Sequence, residues 1–148
     1  MGFRARRRIR REREREREHT MAHKRKLEKD IRCPLEYGID VFGGRWKSRI
    51  ICVLAAKGRL RYGQLRDEMA NISDAVLSAT LKELMADALV VRESFDEIPP
   101  RVEYSLTPKG ASVVPILQDI CKWAGLFHRE IRADAPKHCQ HCDFHVGE

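Results

Sequence analysis

The sequence of 148 residues has no long apolar run. Since a membrane-spanning helix needs about 18 or more apolar residues in succession, the sequence predicts no such helix. The arginines near the N-terminus are not followed by an apolar segment, which argues against a secretory signal. The residue constellations of enzymes are missing as well, because no carboxylate pair, Ser-His arrangement or glycine-rich phosphate loop is visible. We therefore expect a cytoplasmic protein that has no membrane partner and is not an enzyme.

Cysteine is too scarce and scattered for a disulfide framework, since there are five, an odd number. We expect reduced thiols. Cys33 follows Arg32 and precedes Pro34 at the start of a predicted helix, and a helix N-terminus and a cation both stabilise a thiolate. Cys33 is therefore the candidate sensor for oxidants or small electrophiles, with simple space filling as the alternative.

The C-terminal segment, residues 133–148, is predicted to be a separate Cys/His-rich tail. Its Cys-x-x-Cys pair with a following histidine contains the ligand types that zinc prefers. The candidate ligands are Cys139, Cys142 and His145, with His141 or His138 as a fourth. Zinc is the only cofactor that the sequence suggests, and it would make the protein a metal-responsive regulator. A dithiol switch and a frayed terminus of incidental composition are the alternatives.

Positive charge is concentrated at the N-terminus. Residues 1–32 hold 14 Lys or Arg and 6 Asp or Glu, giving +8, whereas residues 33–148 hold 15 and 16, giving −1. Arg and Glu alternate through residues 11–18, which leaves no apolar face to bury, so we expect residues 1–32 to form a disordered arm. This basic arm either binds nucleic acid or is merely solvated, and a natural start at Met21 is a third possibility.

A helix from Ser73 to about Ala88 is the central element of the prediction. Ser73 can cap its first amides, and Asp74 suits the positive end of the helix dipole. Its apolar stripe consists of Leu77, Leu81 and Leu84, with Val76 and Met85 beside them. The opposite face has short or polar side chains, namely Asp74, Ala75, Ser78, Ala79 and Lys82. Such a face suits close approach to a groove of DNA.

Three helices are predicted before Ser73, over residues 34–42, 46–56 and 61–70. A tight link at residues 71–72 joins the last of them to the Ser73 helix, which is typical of a helix-turn-helix. The stretch 45–66 contains no acidic residue, so we expect it to contact phosphates. The predicted contacts are Arg45, Lys47, Arg59 and Arg61, and we expect Trp46 to belong to the core.

Beyond Ala88 the apolar period changes from 3.6 to 2, which predicts strands over residues 89–95 and 101–106 joined by a turn at residues 96–100. This hairpin would be the wing. Its cations, Arg92 and Arg101, either enter a minor groove or are solvated.

The last predicted helix follows Thr107-Pro108 and has two apolar seams. One consists of Val114, Leu117, Cys121, Ala124, His128 and Ile131, and the other of Val113, Ile116, Ile120, Trp123 and Phe127. A helix that is apolar on two faces needs two surfaces to cover it, and a small domain supplies one. We therefore expect a homodimer, which would place two recognition helices about 34 Å apart.

Several motifs together resemble the HxlR family of bacterial transcription regulators, which are winged-helix proteins related in shape to the MarR group. The motifs are Cys33-Pro34, Gly43-Gly44-Arg45-Trp46, Ile72-Ser73 with the leucines that follow, and residues 99–107. The resemblance implies a DNA-binding dimer with contacts from its first and last helices, and in some members a thiol sensor at the position of Cys33. The sequence departs from the family at Ala75, Ala79 and Thr80, where basic or amide side chains are frequent.

The sequence thus predicts an α+β, mainly α, architecture. Residues 33–132 would form a winged helix-turn-helix with a two-stranded wing and extra N- and C-terminal dimerisation helices. The predicted function is a sequence-specific transcriptional regulator that binds a double-stranded DNA operator as a homodimer. A winged-helix module that binds another protein is the alternative.

Overall fold

The computed structural model describes residues 30–128, 130, 135 and 139. The chain divides into two compact units, residues 1–37 and residues 38–148, with the boundary inside the first helix. The second unit contains the hydrophobic core. The domain limits predicted after residues 32 and 132 remain predictions.

Helices dominate the described residues, as the sequence predicts. In chain order the elements are α1 (Pro34–Phe42), α2 (Arg45–Lys57), β1 (Leu60–Arg61), α3 (Tyr62–Met69), α4 (Asp74–Ala86), β2 (Val90–Phe95), β3 (Arg101–Leu106) and α5 (Pro108–Gly125). Among these elements and the rest of the described chain, no helix is long and apolar enough to cross a membrane.

The helix boundaries follow local capping chemistry. The Ser73 hydroxyl accepts a hydrogen bond from the Val76 amide at 3.3 Å, and the Thr107 hydroxyl accepts one from the Gly110 amide at 3.0 Å. Both are N-caps that satisfy an amide left without a partner in the first helical turn. At the C-terminal end of α2, Gly58 adopts a φ of 78°, a left-handed conformation that ends the helix at little cost.

The core is built around α2 and the leucine face of α4. Its buried side chains are Val41, Ile50, Ile51, Val53, Leu54, Leu60, Leu65, Met69, Leu77, Leu81, Leu84, Leu89, Val90, Val113 and Leu117. Helix α2 contributes four of them in a wide arc, so it lies at the centre of the packing. The apolar stripe predicted for the Ser73 helix is confirmed at its three leucines.

The sheet has three strands in the order β1-β3-β2, all antiparallel. The predicted hairpin is confirmed, with Val90 opposite Leu106 and Phe95 opposite Arg101. Strand β1 was not predicted, and Leu60 pairs with Tyr104 across it. Two residues are too few to show an alternating pattern, so the sequence could not reveal this strand.

The structure corrects the predicted burial of Trp46 and the ends of two helices. Trp46 is only partly buried at the edge of the core, with the guanidinium carbon of Arg49 5.1 Å from its ring centroid. Helix α4 ends at Ala86 rather than Ala88, and α5 ends at Gly125, which leaves His128 exposed outside it.

The neighbours Val76 and Leu77 provide a test of the packing. Leu77 has no exposed surface, whereas Val76 is 38% exposed. We expect Leu77→Ala to lower the free energy of unfolding by about 2–5 kcal/mol, because it leaves a cavity in the core. Val76→Ala should lower it by less than about 1 kcal/mol. Urea unfolding at one protein concentration measures both, and equal losses would contradict the assignment of the buried face.

Candidate nucleic-acid interface

The outward face of α4 carries small and polar side chains. Asp74, Ala75, Ala79 and Lys82 are exposed and Ser78 is half-buried, while the leucines of the same helix lie inside. Except at Val76, the two faces of this helix therefore lie as the sequence predicts. In helix-turn-helix proteins, side chains in such a position meet base edges in the major groove.

Val76 departs from the predicted faces of α4, and Thr80, to which the sequence assigned no face, lies inside. Thr80 is buried, and its hydroxyl donates to the Val76 carbonyl at 2.8 Å, so it is satisfied inside the helix and cannot read bases. Val76 reaches the surface instead of extending the apolar stripe. Ser73 lies just before the helix and uses its hydroxyl to cap it.

Helices α3 and α4 are joined through a polar group that we call the Tyr62 cluster, formed by Tyr62, Arg66, Asp74 and Ser78. The Tyr62 hydroxyl oxygen lies 3.1 Å from the Asp74 carbonyl oxygen, 3.3 Å from Asp74 Oδ1 and 3.2 Å from Ser78 Oγ. Arg66 Nη1 donates to Asp74 Oδ1 at 3.2 Å. The cluster holds two of the polar side chains of the outward face at fixed positions.

Sequence reasoning assigned no role to Tyr62 and did not foresee the Arg66–Asp74 pair. The partners of Tyr62 lie 12 and 16 residues further along the chain. Separations of that length depend on how α3 and α4 cross, so no local pattern signals them. The pairing also compensates the charge of Asp74 at the start of α4.

The cations of the acid-free stretch have different environments. The prediction that Lys47 contacts phosphates is corrected by the structure, because its side chain is only 14% exposed. Its Nζ lies 3.0 Å from the Asp40 carbonyl oxygen, 3.3 Å from Glu83 Oε2 and 3.7 Å from Asp87 Oδ2. Lys47 therefore links α1 and α2 to the end of α4 instead of facing solvent.

Arg45 and Arg61 are exposed, and neither forms an ion pair within the described part of the chain. The Arg45 guanidinium lies 5.9 Å from the Trp46 ring centroid. Arg59, in contrast, pairs with Glu93 of β2. Among the four predicted contacts, Arg45 and Arg61 are thus the exposed cations without a carboxylate partner in the described residues.

The wing differs from a simple basic hairpin. Arg101 donates to Glu97 and to Glu103, each at 2.7 Å, and its guanidinium lies 3.9 Å from the Phe95 ring centroid. Glu97 in particular, and then Glu103, raise the pKa of Arg101, so its charge is permanent but already compensated. Arg92 is exposed and forms no ion pair among the described residues. Arg92 is therefore the more accessible of the two wing cations.

Cys33 is exposed at the start of α1. The cation next to it is already engaged, because the Arg32 guanidinium pairs with Asp30. The Glu36 carboxylate also accepts a hydrogen bond from the Arg32 amide at 2.7 Å. The Arg32 guanidinium and the first turn of α1 therefore each have a carboxylate beside them, Asp30 and Glu36 respectively.

The zinc site predicted for the tail falls mostly outside the described residues. Cys142, His141, His138 and His145 all lie there, and only Cys139 is described. Among the residues that are described, no three His, Cys, Asp or Glu side chains form a group that could hold a metal ion.

Comparison with known proteins identifies the family of the fold. The family described as HxlR-like helix-turn-helix matches residues 41–134. An uncharacterised HTH-type transcriptional regulator of Methanothermobacter thermautotrophicus is 41% identical over 100 residues, which cover 66% of this chain and 76% of that protein.

Two solved structures have the same winged-helix fold. The redox regulator HypR in its oxidised form has a TM-score of 0.60 and 36% identity, and the match covers 67% of this chain and 100% of HypR. A transcriptional regulator of the MarR family from Porphyromonas gingivalis W83 has a TM-score of 0.59 and 38% identity, over 65% of this chain and 93% of that one. The winged helix-turn-helix predicted from the sequence is confirmed.

Proposed function

This chain belongs to the HxlR-like helix-turn-helix family, and we propose from that premise that it is a sequence-specific DNA-binding regulator that acts in the cytoplasm as a homodimer. Its family and its relatives are transcriptional regulators and not enzymes. The observation that carries the proposal is the outward face of α4, on which small side chains lie beside Ser78 and Lys82. No bulky side chain on this face prevents close approach to base edges.

Base recognition in this proposal uses a small set of groups. The Ala75 and Ala79 methyl groups suit contact with thymine methyls, and Ser78 and Lys82 offer hydrogen bonds to base edges. Affinity comes from phosphate contacts by exposed cations, since neutralised phosphates dominate binding strength while base contacts set specificity. The exposed cations that support this part are Arg45, Arg61 and Arg92.

The basic arm, residues 1–32, is proposed as a second source of phosphate contacts. A truncation that removes residues 1–20 takes away nine arginines. We expect the slope of log K against log salt for duplex DNA to become less negative by about 0.9 for each phosphate contact that is lost. Fluorescence anisotropy with a duplex from the protein's own upstream region measures this slope. An unchanged slope would show that residues 1–20 of the arm do not contact DNA, and no binding by either form would contradict the proposed function.

The homodimer is supported by the exposed seam of α5. Trp123 is 66% exposed, and Ile116, Ile120 and Phe127 are exposed on the same side of α5 and just beyond it. The Trp123 and Phe127 rings pack together, with centroids 5.5 Å apart. A contiguous apolar surface of this kind marks an interface. A second copy of the same seam would cover it symmetrically.

An acidic substitution tests the dimer. We expect Ile120→Asp to convert the protein to a monomer and to weaken operator binding, because it places a charge in the apolar seam. Ala111→Asp is the matched control, since residue 111 is exposed on the same helix about 180° away at 100° per residue. Light scattering should give twice the mass of one chain for the wild type and for Ala111→Asp. A dimeric Ile120→Asp variant would contradict this interface.

Response to oxidation at Cys33 is the remaining part of the proposal. A structural neighbour is named as a redox regulator, and the Cys33 thiol is exposed at a helix start. Oxidation of an accessible thiol alters its size and charge next to α1 and would change the regulator's affinity for DNA.

The test of this part compares two variants after mild treatment with diamide. We expect the oxidant to weaken DNA binding by the wild type and to leave Cys33→Ser unaffected. Cys52→Ser is the control, because Cys52 is partly buried against the core and should respond as the wild type does. A Cys33→Ser variant that loses DNA affinity as the wild type does would rule out Cys33 as the sensor.

A further inference from the structure

Helix α4, the proposed recognition helix, begins with Asp74. A carboxylate on a surface that approaches DNA is repelled by the phosphates. Asp74 lies in the first turn of α4 and its side chain is 64% exposed. We propose that Asp74 determines which sequences the protein accepts, by taking a hydrogen bond from an exocyclic amino group of cytosine or adenine in the major groove. This inference rests on the proposed DNA-binding function.

The hydrogen bonds of Asp74 leave one oxygen available. An ionised carboxylate has about four acceptor sites on its two oxygens. Oδ1 lies 3.3 Å from the Tyr62 hydroxyl and 3.2 Å from Arg66 Nη1, whereas the contact of Oδ2 is with Arg66 at 3.4 Å. A distance of 3.4 Å is at the weak end of the range for N–H···O bonds. Oδ2 therefore has room for a better donor.

The negative charge restricts what that donor can be. Cytosine N4 and adenine N6 are the donors that base pairs present in the major groove, while guanine O6 and N7 and thymine O4 are acceptors. A carboxylate is attracted by the amino groups and repelled by the acceptors and the phosphates. Each base pair has one such amino group, on the strand that carries cytosine or adenine, so Asp74 favours the orientation of a pair that places this group beside Oδ2 and penalises the reverse orientation.

Arg66 and Tyr62 give this contact a mechanism. The Arg66 side chain is 47% exposed and is held by Asp74 in the free protein. When a base amino group binds Oδ2, Arg66 retains only its 3.2 Å contact with Oδ1, which it exchanges for a nearby phosphate. Tyr62 keeps the carboxylate in place during this exchange, because its hydroxyl also contacts the Asp74 carbonyl oxygen and Ser78 Oγ. Base reading and phosphate binding are then coupled at one residue.

The first experiment selects binding sites from a pool of random duplexes with the full-length protein and with Asp74→Ala. We expect the wild-type sites to have one symmetric base pair, in one orientation, that is variable in the sites selected by Asp74→Ala, and the cytosine or adenine of that pair identifies which amino group is read. Replacing that base pair should weaken wild-type binding by about tenfold and Asp74→Ala binding by less than about twofold. Asp119→Ala is the control, because it removes the same charge from an exposed pair with Lys122 on α5 and should keep the wild-type preference.

The second experiment measures the salt dependence of binding to a duplex without the selected site. Removal of the carboxylate releases Arg66, so Asp74→Ala should have a slope steeper by about 0.9 than the wild type. The double variant Asp74→Ala/Arg66→Gln should return to the wild-type slope. A residue that only stabilises the fold would not produce this pattern.

The outcomes separate this inference from the function on which it rests. If Asp74→Ala selects the same bases as the wild type, or if its slope is unchanged, the role of Asp74 is overturned while DNA binding stands. If the wild type enriches no duplex at all, the proposed function and the role of Asp74 fall together.

Discussion

Burial of the leucine face of α4 is the constraint on which the interface depends. Leu77, Leu81 and Leu84 are buried in the core that α2 organises. Because side chains leave a helix at fixed angles, placing these three inside determines which ones face outward. Ala75, Ser78 and Ala79 are turned to the surface by the same packing. Burial of the three leucines, which is driven by the hydrophobic effect, thereby determines which side chains form the outward face of α4.

Polar contacts then hold α4 near both of its ends. Tyr62 and Arg66 of α3 contact its first turn, and Lys47 of α2 lies beside Glu83 and Asp87 at its last. Lys47 is mostly buried, so loss of its carboxylate partners would leave an uncompensated charge. The contacts fix the orientation of the helix, and they take up cations that the charge pattern alone would assign to phosphates. The number of cations in this part of the sequence is therefore larger than the number available to phosphates at the surface.

The sequence predicts those features that arise from local rules. The N-caps at Ser73 and Thr107, the leucine stripe and the period of the hairpin depend on residues within one or two turns, so they can be seen in the printed chain. The roles of Lys47, Tyr62 and Arg101 depend on neighbours brought together by folding. A lysine between two carboxylates of another helix looks in sequence like any surface lysine. The exposed seam of α5 is an intermediate case. Its periodicity shows that another surface must pack against it but does not identify that surface.

The central claim is that the outward face of α4 meets the major groove. Intermolecular nuclear Overhauser effects between protein methyl groups and an operator duplex test it most directly. The account predicts contacts from the Ala75 and Ala79 methyls to base protons of the major groove, and none from the buried Leu81 methyls. Contacts confined to other elements, with Ala75 and Ala79 unaffected by saturating duplex, would contradict it.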